Sequence, residues 1–279
     1  LLADALQQKA DVIVTQGATQ SNHVRQTIAG AARLGLQAKA LLEKRVTDFG
    51  EDYQRSGNVL LDTLLGGEIV AHLPGGTDMQ KAMEEYAATL REQGHRPYVI
   101  PGGGSNPIGA LGYVACAEEL LYQSSERRLR IDHVVHATGS TGTQAGLVAG
   151  FTATNSHIPV LGISVRAPKD KQEENVWNLA SRTLDLLGVP GELSRHAVVA
   201  NSDYVGDGYG LPTEGTLEAL RLLARQEGIL LDPVYSAKGM AGLIDLIRKG
   251  HFRQDENIVF IHTGGSAGLF GYRQVLEHG

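Results

Sequence analysis

The chain has 279 residues, 42% of them hydrophobic, which is enough for one large domain or two modest ones. Its formal net charge is −6 and the basic residues are scattered, so nucleic acid and anionic membranes are poor candidates for partners. The single cysteine, Cys116, excludes an internal disulfide framework, and the sequence has neither a signal peptide nor an apolar run of membrane-spanning length. We therefore expect a cytoplasmic protein.

Short β-branched runs alternate along the chain with longer helical patterns. The chain opens inside a helical pattern, LLADALQQKAD, without a capping residue ahead of it, so we expect its front end to be cut. The strand-like runs that follow are, in order, DVIVT, AKALLE, GEIVAH, PYVIP, HVVHA, PVLGISV and NIVFIH. This alternation predicts βαβ units around a largely parallel sheet, an α/β fold. Residues 166–215, with several Pro, Gly and Asn residues, predict long loops near a site.

Four of the strand ends have the same character. VIVTQGATQSN, YVIPGGGSNPIG, VVHATGSTGTQAG and IVFIHTGGSAG each leave a strand through small hydroxyl or glycine residues and then enter a helix. Ligands of open parallel sheets bind beyond the carboxyl ends of the strands. Four such turns therefore predict a shared ligand cleft.

The third of these turns has the composition of an anion site. Gly139, Ser140, Thr141, Gly142 and Thr143 would present backbone N–H groups and three hydroxyls at a helix N-terminus, where a phosphate monoester is favoured. The alternative is a tight turn in which Ser or Thr caps the helix. No Lys follows as in a Walker loop, and the G-x-G-x-x-G spacing of dinucleotide folds is absent.

The first turn, Thr19-Gln-Ser-Asn-His23, also permits two interpretations. Ser21 or Asn22 would either cap the following helix or aim polar groups at a ligand. His23 and Arg25 would contact a carboxylate or lie in solvent.

Two tyrosines and one strand end later in the chain are further candidates. Tyr235, in LDPVYSAK, would pack as an amphipathic ring or donate a proton, and Tyr209 lies between two glycines that would let it approach a ligand or merely mark a turn. Thr263 follows the last strand, where the sheet would meet the cleft. No histidines have the spacing of metal ligands, so we expect no metal.

Five segments in fixed order carry a family resemblance over essentially the whole chain. They are TQGATQSNHVRQT, PYVIPGGGSNPIGALGY, HATGSTGTQAGL, EGILLDPVYSAKGMAGLI and IVFIHTGGSAGLF. Together they resemble the fold-type II pyridoxal 5'-phosphate (PLP) enzymes, in the branch of D-cysteine desulfhydrase, L-cysteate sulfo-lyase and 1-aminocyclopropane-1-carboxylate (ACC) deaminase. The resemblance implies two open twisted parallel-sheet domains, as in the tryptophan synthase β subunit, with PLP in the interdomain cleft. It also implies a smaller domain at 12–106, a larger one formed by 1–11 and 107–279, a small amino-acid substrate and a homodimer.

The same resemblance assigns roles to the cofactor-binding candidates. The turn 139–143 would hold the phosphate of PLP, and Asn22 would hydrogen-bond the ring hydroxyl. Ser236 would face the pyridine nitrogen, and Thr263 would lie at the cofactor.

Other residues would contact the substrate. Ser21 would be a proton-transfer group close to cofactor and substrate, and Tyr209 and Tyr235 would flank the substrate. Gln20 and its neighbours Thr19 and His23 would receive the substrate carboxylate.

The residue at position 236 bears on the reaction. In ACC deaminases a Glu stands there and keeps the pyridinium protonated, whereas a neutral Ser236 gives a weaker electron sink that suffices for β-elimination. We therefore expect a carbon–sulfur lyase that forms pyruvate and ammonia.

The leaving group is the harder choice. Arg166 and Lys169 follow a strand and would suit a sulfonate, or would pair with nearby acids, and Thr19 stands where a D-cysteine enzyme is expected to have an apolar residue. These features favour L-cysteate sulfo-lyase. D-Cysteine desulfhydrase and then ACC deaminase are the alternatives, and a non-catalytic PLP-binding or phosphate-binding relative is a different class.

The family's Schiff-base lysine lies in a G-N-K-x-R-K-L-E stretch that the resemblance places shortly ahead of Leu1. We therefore expect that this chain by itself does not turn over substrate by the family mechanism and that the complete protein does.

Overall fold

The computed structural model describes residues 1–47 and 49–277 and consists of two compact units. The first unit comprises Leu1–Gly104 with Ala267–Gly279, and the second comprises Ser105–Ser266. Each contains a four-stranded sheet in which all the paired strands are parallel. The predicted α/β architecture of two parallel-sheet domains is confirmed.

The first unit alternates strands with helices up to a short 3-10 turn. Its elements are α1 (Leu2–Gln7), β1 (Val12–Ala18), α2 (Asn22–Arg33), β2 (Gln37–Lys44), α3 (Gly50–Arg55), α4 (Asn58–Leu64), β3 (Glu68–Pro74), α5 (Met79–Glu92), β4 (Pro97–Val99) and a 3-10 helix, Gly102–Gly104. The strand order is β3-β2-β1-β4. Ile13 packs on the side of α2, and Val12 and Val14 pack on the side of Met83 in α5, as the two-residue period of a strand requires. The central strand β1 is thus covered on both faces, and its carboxyl end leads directly into the turn at 19–23.

The second unit repeats this pattern, and the chain then returns to the first. Its elements are α6 (Pro107–Glu126), β5 (His133–Thr138), α7 (Gly142–Ala153), β6 (Val160–Ser164), α8 (Lys169–Leu187), a 3-10 helix (Arg195–Ala197), β7 (Val199–Asn201), α9 (Glu214–Glu227), α10 (Ser236–Arg248) and β8 (Ile258–Ile261), followed by a 3-10 helix (Ser266–Tyr272) and α11 (Arg273–Glu277). The strand order is β7-β6-β5-β8. A Cβ on Gly146 of α7 would lie 2.4 Å from the Ala110 carbonyl oxygen of α6, so glycine permits these helices to pack closely.

The division into units differs from the predicted 12–106 and 1–11 plus 107–279 at both ends of the chain. Ala5 of α1 packs in the same core as Ile13, and the Tyr272 ring meets the Tyr53 ring edge-on with centroids 5.4 Å apart. Apolar burial thus assigns both chain ends to the first unit. The inner boundary, at Gly104 and Ser105, lies close to the predicted one.

The segment predicted as long loops, 166–215, is largely helical in its first half. Gln172, Val176, Leu179 and Thr183 are buried along one side of α8, which is the spacing of a helix with one buried face. Irregular structure is concentrated between α8 and α9, around the short β7. Among the described residues, no helix combines the length and apolar character needed to cross a bilayer.

Candidate functional site

The turn at 139–143 leaves the N-terminus of α7 without a side-chain cap. The capping position is Thr141, whose side chain accepts no hydrogen bond from the first turn of the helix. The Gly142 N–H donates to Ser105 Oγ at 3.1 Å. Because the first N–H groups of a helix have no partner within it, and the turn's own hydroxyl does not cap them, this end of α7 is suited to an anion. The alternative of a self-capped turn is not what forms.

Glycine at position 139 lets an aromatic ring pack against this turn. A Cβ there would lie 2.9 Å from Val165 Cγ2 and 3.2 Å from Tyr235 Cε1. A side chain would therefore displace one of these neighbours. The structure thus places the predicted Tyr235 directly beside the predicted anion turn.

Tyr209 and Tyr235 form a pair. Their hydroxyl oxygens are 2.7 Å apart, and the rings meet at 75° with centroids 5.8 Å apart. Both side chains are half-buried. The structure brings together two residues that are 26 positions apart in the sequence.

Ser236, at the start of α10, is engaged by a carboxylate that the sequence analysis did not identify. Its hydroxyl donates to Asp232 Oδ1 at 2.7 Å and accepts from the Asp232 N–H at 2.7 Å. The Asp232 carboxylate is buried and also accepts the N–H groups of Val234, Tyr235 and Ser236. Burial raises the pKa of Asp232, against the lowering effect of these hydrogen bonds. Any ring nitrogen that reaches Ser236 must share a hydroxyl already bound to Asp232.

Lys238, in the segment LDPVYSAK, is buried and holds the loop before Tyr209 through two hydrogen bonds. Its Nζ donates to the carbonyl oxygens of Val205 at 2.5 Å and Gly208 at 2.7 Å. Burial lowers the pKa of Lys238 to about 8, partly offset by the charge of Asp207. Only its place one turn into the helix after Tyr235 distinguishes this residue in the sequence.

In the first unit, Ser21 caps α2. Its Oγ accepts the Val24 N–H at 3.2 Å, and a Cβ on Gly17 would lie 2.3 Å from this same oxygen. The Thr19 side chain is buried, and within the described part of the chain its Oγ1 has no hydrogen-bond partner. In this turn, Ser21 Oγ therefore already accepts a hydrogen bond, whereas Thr19 Oγ1 has no partner among the described residues.

The Gln20 side-chain amide binds α3, the residue that follows α3, and the start of α4. The Nε2 donates to the carbonyl oxygens of Tyr53 and Ser56, each at 2.8 Å, and the Oε1 accepts the Asn58 N–H at 2.9 Å. Asn22 Oδ1 accepts from Asn58 Nδ2 at 2.7 Å. Because the Gln20 amide is occupied in this way, it is not available to a substrate carboxylate.

His23 does not have the properties of a carboxylate partner. Its Nε2 lies 2.8 Å from Thr15 Oγ1, and burial lowers its pKa to about 4. The Thr15 hydroxyl donates its proton to the Ile100 carbonyl at 3.0 Å, so His23 Nε2 must be the donor to Thr15. His23 is therefore an uncharged imidazole bonded within its own unit.

The remaining candidates lie at strand ends of the second unit. Arg166 is exposed just after β6, and Lys169 pairs with Glu173 at 3.5 Å. Thr263 is half-buried just after β8. Within residues 1–47 and 49–277, no three His, Cys, Asp or Glu side chains are grouped as metal ligands.

Comparison with known proteins gives a family. Residues 1–264 match the family described as pyridoxal-phosphate dependent enzyme. The chain is 45% identical over 272 residues to the D-cysteine desulfhydrase of Serratia proteamaculans (strain 568), covering 98% of this chain and 81% of that relative. The D-cysteine desulfhydrase of Yersinia enterocolitica serotype O:8 is also 45% identical, over 275 residues, with the same coverage.

Solved structures agree with this assignment. The crystal structure of an ACC deaminase homologue is 38% identical and superposes with a TM-score of 0.86, over 99% of this chain and 80% of that one. O-ureido-L-serine synthase, 19% identical with a TM-score of 0.66 over 100% of this chain and 82% of that one, shares the fold. The family match and the similarity to relatives along nearly the whole sequence show that this chain belongs to the pyridoxal-phosphate dependent enzymes and uses that cofactor.

Proposed function

We propose that the protein is a D-cysteine desulfhydrase, which converts D-cysteine and water into pyruvate, ammonia and hydrogen sulfide. The observation that carries the proposal is the 45% identity to two D-cysteine desulfhydrases over 98% of the chain. This order of preference differs from the expectation of L-cysteate sulfo-lyase. That expectation depended on Arg166, Lys169 and Thr19. Arg166 is exposed and Lys169 is paired with Glu173, so the two cations do not form a sulfonate-binding site.

The residues of the chain fit PLP. The N-terminus of α7, which Thr141 does not cap, suits a phosphate, and the absence of a side chain at Gly139 lets Val165 and Tyr235 pack beside the turn. The buried Thr19 Oγ1, which lacks a partner within the described residues, is a polar atom that a ligand would satisfy. When bound, the cofactor supplies an electron sink for the pair left behind by the Cα proton.

In this proposal the N–H groups of 139–143 other than that of Gly142, which donates to Ser105 Oγ, would bind the phosphate, and Asn22 Nδ2 would donate to the ring oxygen. Ser236 carries no charge, so it does not hold the ring nitrogen protonated by ion pairing as a Glu would. A weaker electron sink is sufficient when the leaving group is a thiolate, whereas opening a cyclopropane ring needs a stronger one. This difference favours carbon–sulfur cleavage over ACC deamination, despite the similarity to an ACC deaminase homologue.

The two tyrosines handle a proton at their hydroxyl oxygens. With 2.7 Å between the oxygens, one hydroxyl donates to the other, and we assign to this pair the delivery of a proton to the departing sulfur. Ser21 accepts from Val24 through Oγ, so its own proton can be donated to the substrate. The backbone of 19–22 receives the substrate carboxylate.

Parallel assays of the full-length protein test the proposal. D-Cysteine, L-cysteine, L-cysteate and ACC are each supplied, and sulfide, sulfite and keto acid are measured. Sulfide and pyruvate in equal amounts from D-cysteine is the expected result. Sulfite from L-cysteate without sulfide from D-cysteine would overturn it in favour of the sulfo-lyase, and PLP binding without any product would identify a non-catalytic relative.

We also propose that the protein is a homodimer. Sedimentation of the holoenzyme tests this oligomeric state.

A further inference from the structure

A buried asparagine joins the start of α4 to the turn that precedes α2. Asn58 is fully buried, and its Nδ2 donates to the Gln20 carbonyl oxygen at 3.2 Å and to Asn22 Oδ1 at 2.7 Å. Its Oδ1 accepts from Arg25 Nε at 3.4 Å, and its backbone N–H donates to Gln20 Oε1 at 2.9 Å. Every polar atom of the Asn58 carboxamide therefore has a partner in the first unit.

The partners on either side fix which way this carboxamide points. The oxygen and nitrogen of an Asn side chain are ordinarily interchangeable in appearance, and the hydrogen-bond network must decide between them. Arg25 can only donate, so it must face the Asn58 oxygen, and the Gln20 carbonyl can only accept, so it must face the Asn58 nitrogen. Two independent neighbours thus give the same orientation.

The orientation of Asn58 determines that of Asn22. Because Asn58 presents N–H groups, the Asn22 atom 2.7 Å away must be the oxygen, and the Asn22 NH₂ group is directed to the other side. Asn22 is the first residue of α2 and is half-buried, so a ligand can reach it. If the Asn22 carboxamide were flipped, its oxygen would face the ligand and its NH₂ group would face the NH₂ group of Asn58, so that two donors would meet.

We propose that Asn58 is a positioning residue that holds the Asn22 carboxamide with its NH₂ group directed at the ring oxygen of PLP, with Arg25 fixing Asn58 in turn. Asn58 contacts Asn22 and not the cofactor, so it acts only through Asn22. The inference rests on the role of Asn22 in the proposed function.

The test measures binding of two non-covalent analogues to the apo form of the full-length protein by calorimetry. The first probe is 4-deoxypyridoxine 5'-phosphate, whose methyl group cannot form an imine and whose ring hydroxyl can ionise to an oxyanion that only accepts hydrogen bonds. The second is its 3-O-methyl ether, whose ring oxygen stays neutral and is a weaker acceptor. Asn58→Asp replaces the donor by an acceptor of the same shape and strengthens the contact with Arg25. Asn22 then turns its NH₂ group inward. We expect the preference for the hydroxyl analogue over the ether to fall about tenfold, with little change in the affinity for the ether.

Two further variants separate the possible failures. Asn178→Asp adds the same charge at an exposed position of α8 and should keep the wild-type preference. Asn22→Ala should lose the preference, and adding Asn58→Asp to it should cause no further loss. If Asn22→Ala keeps the preference, the role of Asn22 in the proposed function is wrong. If Asn22→Ala loses it and Asn58→Asp keeps it, only the inference on Asn58 is overturned.

Should Asn58→Asp not fold, Asn58→Ala carries the test. That variant retains the backbone N–H bond to Gln20 Oε1, which anchors the start of α4. It frees the Asn22 carboxamide to adopt both orientations, so we expect a loss of preference of about threefold. An unchanged preference in Asn58→Ala would overturn the inference.

Discussion

The hydroxyl oxygens of Tyr209 and Tyr235 lie 2.7 Å apart although the two residues come from different segments of the second unit. If this pair delivers a proton to the departing sulfur, either Tyr→Phe substitution should lower kcat for sulfide release by about 10²- to 10⁴-fold. Removing the donor should leave KM for D-cysteine within a few-fold of wild type. Steady-state sulfide assays of Tyr209→Phe and Tyr235→Phe measure both parameters.

Tyr122→Phe is the matched control for these variants. Tyr122 is an exposed residue of α6 whose hydroxyl donates to Glu126 at 2.7 Å, so its loss should leave kcat unchanged. Equal activity in all three variants would exclude a proton-transfer role for the pair.

Gly139→Ala tests the close packing at the anion turn. The new methyl would lie 2.9 Å from Val165 and 3.2 Å from Tyr235, so the turn or the tyrosine must shift. We expect the affinity for PLP to fall more than about tenfold, because N–H groups aimed at a phosphate lose strength rapidly with misalignment. Equilibrium titration of the apo protein with PLP measures this change.

Gly112→Ala provides a control with the same chemical change. A Cβ at Gly112 in α6 has no neighbour within 4 Å, so the helix should gain up to about 1 kcal/mol in stability. PLP affinity should not change. A loss of affinity in this variant equal to that in Gly139→Ala would show that the effect is not local to the turn.

Asp62, in α4, should make stability depend on pH near neutrality. Its carboxylate is fully buried, neither oxygen has a hydrogen-bond partner among the described residues, and burial raises its pKa to about 7, against the lowering effect of Arg25. The folded state then binds a proton that the unfolded state, with an Asp pKa near 3.8, has released. The contribution of Asp62 to the unfolding free energy is therefore greatest below pH 3.8 and is lost as the pH rises through about 7.

Asp62→Asn removes that titration. The unfolding free energy of the variant minus that of wild type should rise by on the order of 3 kcal/mol as the pH is raised from 4 to 8, because only wild type loses stability over this range. Urea unfolding at both pH values measures the difference, with exposed Asp185→Asn as the control. If the difference in unfolding free energy between wild type and Asp62→Asn does not vary with pH, the Asp62 carboxylate is either hydrated or hydrogen-bonded in solution.

Lys238 should give a pH dependence of the opposite sign at alkaline pH. Its folded pKa is about 8 and its ordinary value is 10.5, so between these limits the unfolded state binds more protons. Stability from this group therefore rises with pH from about 8 to 10.5, because the neutral amine still donates to Val205 and Gly208 without the cost of a buried charge.

Lys238→Met should abolish that rise and release the loop before Tyr209. We expect the difference in unfolding free energy between wild type and Lys238→Met to grow in favour of wild type over this pH range. Limited proteolysis should also cut the loop faster in the variant. Lys171→Met, at an exposed position of α8, should show neither change, and a loop that stays resistant in Lys238→Met would contradict the bracing role.

Local patterns were sufficient to predict β1 to β6, β8 and the turns, but not the short β7 or the residues that support the turns. The strand-like runs and the turns at 19–23 and 139–143 are each contained in about a dozen consecutive residues, so composition and period reveal them. Asn58 contacts Gln20 from 38 positions away, and Lys238 contacts Val205 from 33 positions away. Nothing adjacent to Asn58 or Lys238 in the sequence signals these contacts.

The roles of His23 and Gln20 show a second limit. Both occupy a turn that is suited to a ligand, and both side chains bind their own unit instead. Whether a polar side chain faces a ligand or the protein depends on which partners the fold brings near it, here Thr15 for His23 and the carbonyl groups of Tyr53 and Ser56 for Gln20. Composition of the turn alone does not contain that information.

The aromatic contact of Tyr272 has a consequence for biosynthesis. Tyr272 packs on Phe49, with centroids 4.9 Å apart, and on Tyr53, yet the whole second unit lies between these residues in the chain. A ribosome synthesises the chain from its N-terminus, so this cluster cannot close until Tyr272 has been synthesised. The nascent first unit therefore leaves the exit tunnel with Phe49 and Tyr53 uncovered by Tyr272, and it is during this interval that a chaperone would have a hydrophobic surface to bind.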